Sequence, residues 1–217
     1  MRNLSDRLLD LLYPPKCAFC RRLVQDGRML CPACEKKLPY PEKEEQLRRI
    51  DHLELCLSPL YYTGEVRDSL LRYKFHGAAA YCRIYGELMD HCLREHAVSA
   101  DVVTWIPLSR ARLRKRGYDQ AKLLAEEVAA RQSLPCERMI EKIRNNRAQS
   151  GTKSAEERKK NVEGVYRAVT DCSGARILLV DDIVTTGATL SEAAETLLKA
   201  GALEVTGLTA ARNMQGD

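Results

Sequence analysis

Residues 177–190, ILLVDDIVTTGATL, concentrate side chains that could do chemistry. Apolar residues lead into Asp181 and Asp182, and a turn of Thr185, Thr186, Gly187, Ala188 and Thr189 opens a helical pattern. Adjacent carboxylates at the end of a buried strand repel and desolvate each other unless a cation or hydroxyl groups meet them. Gly187 lets backbone approach a ligand, while successive N–H groups and the following helix N-terminus attract an anion. The threonines add hydroxyl donors. The turn therefore reads as a monophosphate cradle, with the aspartates upstream as acceptors for neutral hydroxyls or a hydrated cation. A phosphate with hydroxyls nearby describes a ribose 5-phosphate. Two other phosphate loops are excluded. No lysine follows Gly187, as a P-loop requires, and one glycine stands where the dinucleotide fingerprint needs three. The plainer alternative is that the aspartates cap a helix and the threonines favour a turn.

A second pattern occupies residues 17–34, CAFCRRLVQDGRMLCPAC. Two CxxC pairs, Cys17/Cys20 and Cys31/Cys34, flank a ten-residue spacer with QDG as its turn. This spacing supplies four soft ligands in tetrahedral reach, the signature of structural zinc with no open coordination position. A segment with so little core of its own would take its folding energy from the metal. The alternative is a pair of redox CxxC motifs. The other cysteines, 56, 82, 92, 136 and 172, are scattered, and nine is an odd count, so a disulfide framework is not expected.

The elements that must position these residues alternate. Strand patterns fall at 57–62, 101–108, 164–169, 176–181 and 203–211, and helical ones at 66–73, 80–97, 119–132 and 189–200. Asp119 is the expected N-cap of the third helix. Alternation of this kind argues for an α/β fold with a parallel sheet covered on both faces, and ligands then gather beyond the carboxyl ends of the strands. Three parts are expected: an N-terminal amphipathic helix and zinc ribbon over 1–40, a proline-punctuated, charged helical linker over 41–56, and the α/β domain over 57–217.

The chain's 217 residues suffice for one α/β core and a small appendage, and 45% hydrophobic with 30% charged residues is ordinary for a soluble globular protein. No run approaches the ~18 apolar residues of a membrane span, and the N-terminal MRNLSDRLLDLLYPP is too charged for a signal peptide, so a cytoplasmic location without membrane insertion is expected. The net charge of +5 is mild, but RARLRKR at 110–116 carries five cations without an acid. Such a cluster suits phosphates of DNA, RNA or a small polyphosphate, or forms a solvated helix face. No Ser–His–Asp or Cys–His pattern is present. The four histidines share no motif, and His76, between Lys74 and Gly77, is the one adjacent to a phosphate-binding candidate.

ILLVDDIVTTGATL resembles the phosphoribosyl-pyrophosphate (PRPP) loop of type I phosphoribosyltransferases, most closely that of the ComF family of competence-associated proteins, in which a zinc ribbon precedes such a domain. The likeness extends over CxxC-x10-CxxC, YTGEVRDSLLRYKFHG at 62–77, WIPLSRARLRKRGYDQA at 105–121 and RNNRAQSGTKSAEERKKNVEGVY at 144–166. The resemblance implies a Rossmann-like phosphoribosyltransferase domain. Asp181 and Asp182 would face the ribose hydroxyls, with Thr185, Thr186, Gly187, Ala188 and Thr189 around the 5-phosphate and Lys74 and Arg116 on the pyrophosphate side. Residues 144–160 resemble a mobile hood. Many relatives carry a second ribbon cysteine set, of which only Cys56 remains here. The chemistry implied is Mg²⁺-assisted displacement of pyrophosphate from PRPP by an acceptor that the sequence does not identify, without a protein nucleophile. The competing function is a PRPP or nucleotide sensor, or a scaffold binding single-stranded DNA or competence-machinery proteins during DNA uptake.

Overall fold

The computed structural model describes residues 14–25, 27–144 and 164–214. The amphipathic helix expected before Pro14, and the hood segment after Arg144, lie outside the described residues. Among the described residues, seven strands and six helices are labelled in chain order.

Sheet formation follows the apolar runs. Strands β1 (Leu47–Arg48), β2 (Cys56–Leu57), β3 (Val102–Trp105), β6 (Arg176–Val184) and β7 (Glu204–Arg212) form one five-stranded sheet in the order β1-β2-β7-β6-β3. All neighbours are parallel except β1 against β2. Both faces are covered, as parallel sheets require. The two-residue strand period divides the central strand accordingly. Leu178 and Val180 join a core with α2 (Gly64–Phe75), α3 (Cys82–Glu95) and α5 (Gln120–Gln132), while Ile177 and Leu179 join a second core with α6 (Ala188–Lys199). A separate antiparallel pair, β4 (Ile140–Lys142) and β5 (Tyr166–Ala168), packs beside α6. The Asp119 carboxylate accepts from the Lys122 amide at 3.3 Å, the capping bond expected at the start of α5.

Three local expectations change. Residues 41–56 do not form a helical linker. They make a 3₁₀ turn, Lys43–Gln46, and then β1, because Ser58 donates to the Gln46 carbonyl (3.0 Å) and the buried Arg212 guanidinium gathers the carbonyls of Glu45 and Leu47. Those partners come from distant chain, beyond the reach of local periodicity. Second, the strand expected over 57–62 is reduced to Cys56–Leu57 and a lone bridge from Tyr61 to Arg212; Pro59 lacks the N–H a ladder needs. Third, β6 does not end at Asp181 but runs to Val184, because β7 accompanies it to Arg212.

The ribbon is part of the main core. Cys17, Ala18, Phe19, Cys31, Cys34 and Leu38 pack in one cluster with Leu70, Tyr73 and Tyr85. Helix α1 (Pro32–Lys37) begins inside its second CxxC pair.

Candidate functional site

At the carboxyl ends of β3 and β6 lies a cavity of ≈ 300 Å³. The chain leaving β3 supplies Ile106–Ser109, helix α4 (Arg110–Arg116) supplies Arg112 and Arg116, α5 supplies Gln120, and β6 supplies Asp181 and Asp182. Thr189 enters from the first turn of α6, Lys74 from the last turn of α2, and Lys142 and Tyr166 from the β4–β5 pair. Gly117, at φ +81°, ends α4 by donating its amide to the Leu113 carbonyl at 2.8 Å. Four cations and two carboxylates thus face one space.

The adjacent aspartates are not equivalent. Asp182 pairs with Lys74 at 2.9 Å, both side chains largely buried (13% and 17% exposed). The Asp181 Oδ1 accepts only the Asp182 amide at 2.8 Å among the hydrogen bonds found for it. Burial, with the Asp182 charge beside it, pushes the Asp181 carboxyl up to about 8. The protonated form, a hydroxyl donor as well as an acceptor, is thereby favoured over that of an ordinary aspartate. Asp119, at the rear of the site, also accepts the Leu108 amide at 3.0 Å and is raised by burial. On the opposite side burial, then the nearby Arg112 charge, lowers the Lys142 ammonium; its Nζ lies 5.5 Å from the Tyr166 ring centre.

Of the residues singled out from sequence, Asp181, Asp182, Thr189, Lys74 and Arg116 come together on this cavity. Thr185, Thr186, Gly187 and Ala188 form the adjoining turn without lining it. Thr186 Oγ1 accepts the Ala188 amide at 3.4 Å, and Arg48 donates to the Thr185 carbonyl. Gly187 has φ +84°, and a Cβ there would stand 2.8 Å from the Ile50 side chain. The turn needs glycine for conformation and for the strap crossing it. His76 is exposed at the end of α2, away from the cavity lining.

Sequence reasoning missed Arg112, Gln120, Lys142 and Tyr166 as individuals. Arg112 lay within a recognised cationic cluster and Gln120 within RKRGYDQA. Lys142 and Tyr166 gave no separate signal, since only strand pairing brings them together. Gln120 and Tyr166 are 1% and 5% exposed, and Gln120 Nε2 and the Tyr166 hydroxyl have no hydrogen-bond partner among the described residues. Gln120 Oε1 accepts from Arg116 at 2.8 Å. Unpaired buried donors lining a cationic cavity suit a ligand rich in acceptors.

The four ribbon thiols lie within 4.8 Å of one another, with Cys20 and Cys31 Sγ at 3.6 Å. Tetrahedral Zn–S bonds near 2.3 Å imply S–S edges of about 3.8 Å, so the geometry fits zinc. The Cys34 amide donates to Cys31 Sγ at 3.4 Å and lowers that thiol, whereas burial raises its neighbours Cys20 and Cys34, so the thiolates a metal requires would form together with its binding. All nine cysteines are free of disulfides. Among the described residues this is the one cluster of cysteine, histidine or carboxylate side chains with metal-binding geometry.

Comparison with known proteins assigns both parts. Residues 8–45 match the double zinc ribbon domain, and residues 115–217 the phosphoribosyl transferase domain. Competence protein ComFC of Bacillus subtilis is 32% identical over 220 residues, covering 92% of this chain and 85% of its own. The chain belongs to the ComF family. Another relative, DNA utilization protein YhgH of Escherichia coli K12, is 27% identical over 203 residues, covering 87% of this chain and 86% of its own. Glutamine PRPP amidotransferase of Bacillus subtilis overlaps 64% of this chain and 30% of its own, with 24% identity and a TM-score of 0.44. This ComF-family chain is thus a mixed α/β phosphoribosyltransferase-like domain with an N-terminal zinc ribbon. No described helix is long and apolar enough to cross a membrane.

Proposed function

We propose that this ComF-family chain binds PRPP in the ≈ 300 Å³ cavity and serves DNA utilisation during competence, with pyrophosphate displaced from PRPP by an acceptor yet to be identified. The observation that carries this reading is the division of one cavity into an acidic wall, Asp181 and Asp182, and a cationic wall, Lys74, Arg112, Arg116 and Lys142. The acidic wall suits ribose hydroxyls. The cationic wall suits a diphosphate, and the turn from Thr185 to Thr189 suits the 5-phosphate. A proton held on Asp181 lets that carboxyl donate to one ribose oxygen, while Asp182 accepts from another.

A phosphoribosyl group leaves pyrophosphate through a state with positive charge on ribose and growing negative charge on the leaving group. Fixed cations already aimed at that charge lower the barrier without a nucleophile. Magnesium bound to the diphosphate would neutralise part of the same charge. Asp181 and Asp182 would be the carboxylates within its reach, Asp181 only after losing its proton, and the Lys74 pair to Asp182 favours a cation held chiefly by the ligand's own oxygens.

Titration calorimetry tests the reading. PRPP with Mg²⁺ should bind the wild type, and Asp182→Asn should weaken it by roughly 1.5–3 kcal/mol, the size of a charge-assisted hydrogen bond. Unchanged affinity would remove the acidic wall from the proposal. A binding-only role at single-stranded DNA is the second reading, favoured by the exposed run Arg110, Arg114 and Lys115 on α4. Release of pyrophosphate from PRPP upon adding nucleobases or amines would separate the two.

A further inference from the structure

We propose that Arg72 is a positioning residue through which the zinc-bound ribbon sets the anion affinity of the cavity. The inference rests on the anion-binding reading of that cavity. Its basis is a run of four consecutive residues at the end of α2, each tied to a different place. Arg72 Nη2 donates to the carbonyls of Ala18 and Phe19, at 2.9 and 2.7 Å. The Tyr73 hydroxyl donates to the Gln120 carbonyl at 2.8 Å. Lys74 pairs with Asp182 at 2.9 Å. The Phe75 ring lies 4.8 Å beneath the Arg116 guanidinium. Three neighbours of Arg72 therefore each hold one cavity residue, and Arg72 itself holds the ribbon.

Ala18 and Phe19 are the two residues between Cys17 and Cys20. Their carbonyls converge on one guanidinium because the CxxC knuckle is tightly turned: Cys17 donates to the Arg22 carbonyl at 2.8 Å and Arg21 to the Cys17 carbonyl at 3.1 Å. A zinc ion binding both thiolates would lock that turn. A second path runs alongside. The Phe19 ring meets Tyr85 edge-on at 5.6 Å, Tyr85 lies 6.2 Å from Tyr73, and Tyr73 lies 5.9 Å from Tyr118. The Tyr118 hydroxyl closes the path by donating to the Tyr73 carbonyl. The aromatic contacts supply adhesion between ribbon and helix. The Arg72 bonds fix register, since a planar guanidinium serves two carbonyls in only a narrow range of positions.

Loss of the knuckle would free the last turn of α2 and with it the shared placement of Lys74, Gln120 and Arg116. Cavity side chains displaced by an ångström lose much of their convergence on a ligand. The coupling should fall in the usual range for linked sites, on the order of tenfold in affinity.

The experiment uses the full chain and inorganic pyrophosphate without added magnesium as the probe. Four proteins are compared: zinc-loaded wild type, wild type stripped of zinc and dialysed, zinc-loaded Arg72→Met, and zinc-loaded Arg72→Lys. Arg72→Met keeps the apolar stem and should retain one zinc per chain by elemental analysis, yet bind pyrophosphate on the order of tenfold more weakly. Arg72→Lys, which restores a charge and a donor but not the planar fork, should recover part of that loss. Stripping zinc from the wild type should weaken binding to a similar degree. Amide hydrogen exchange over residues 64–75 should accelerate in both the stripped and the Met proteins, and this readout needs no ligand. Zinc-loaded wild type that ignores pyrophosphate would overturn the anion-site reading. Firm pyrophosphate binding that is equal in wild type and Arg72→Met, with unchanged exchange over 64–75, would overturn the positioning role while leaving the anion site intact. If the stripped chain proves unfolded, the zinc-loaded Arg72 variants decide alone.

Discussion

Replacing Asp181 with asparagine should stabilise the ligand-free protein, by an amount that depends on pH. The wild-type carboxyl is raised from 3.8 to about 8 by burial and by its neighbour Asp182. An acid whose folded pKa exceeds its unfolded value binds its proton more tightly when folded. Its full contribution is therefore present below about 3.8, and stability is lost as pH rises towards 8. The loss is up to about 1.4 kcal/mol per pH unit, or about 3 kcal/mol between pH 5 and pH 7.5. An asparagine side chain cannot ionise, so Asp181→Asn should not share this decline. Urea melts at the two pH values should show the advantage of the variant growing by that amount. Thermal melts should show it as roughly 6–12 °C. The same substitution should weaken Mg²⁺–PRPP binding, separating a cost to folding from a use in binding. Parallel stability curves for variant and wild type across this range would refute the burial argument. Asp182→Asn should behave differently, because it leaves Lys74 without its partner in a largely buried site.

Elemental analysis should find one zinc per chain, and Cys31→Ser should abolish it. Because Phe19 packs on Tyr85, zinc loss should also lower the melting temperature of the whole chain rather than melt the ribbon alone. Gly187→Ala should cost about 1–2 kcal/mol in denaturant melts through its φ of +84° and its 2.8 Å approach to Ile50; Ile50→Ala, which removes every side-chain atom the new Cβ would meet, should recover only the steric part in that background, and complete recovery would exclude the conformational one. The Asp101 carboxyl is held down to about 2 by hydrogen bonds from Arg176, so any stability it gives is present above pH 4 and lost as pH falls towards 2. Asp101→Asn should flatten that acid limb in pH-dependent melts, and an unchanged limb would refute the assignment.

Much of this protein is decided by local sequence. The cluster of four thiols follows from a CxxC-x10-CxxC spacing suited to a tetrahedral ion, and the turn at Gly187 follows from residue types that permit a positive φ beside a helix start. Helices α5 and α6 and strands β6 and β7 were legible because each buries a face, and burial imposes a period on the chain. Tertiary structure decided what depends on distant partners. It separated two adjacent aspartates into one paired with Lys74 and one whose carboxyl is raised by burial, because Lys74 arrives from a helix more than a hundred residues earlier. It turned the expected linker into a sheet edge, because Arg212 and β2 claim its backbone. It brought Lys142 and Tyr166 to the cavity through a strand pairing that neither short strand announces. The ribbon, read as an appendage with its own metal, packs into the main core and reaches the site through Arg72. No local pattern encodes such a link, since carbonyl groups carry no side-chain signature and their partners are chosen only when the chain has folded.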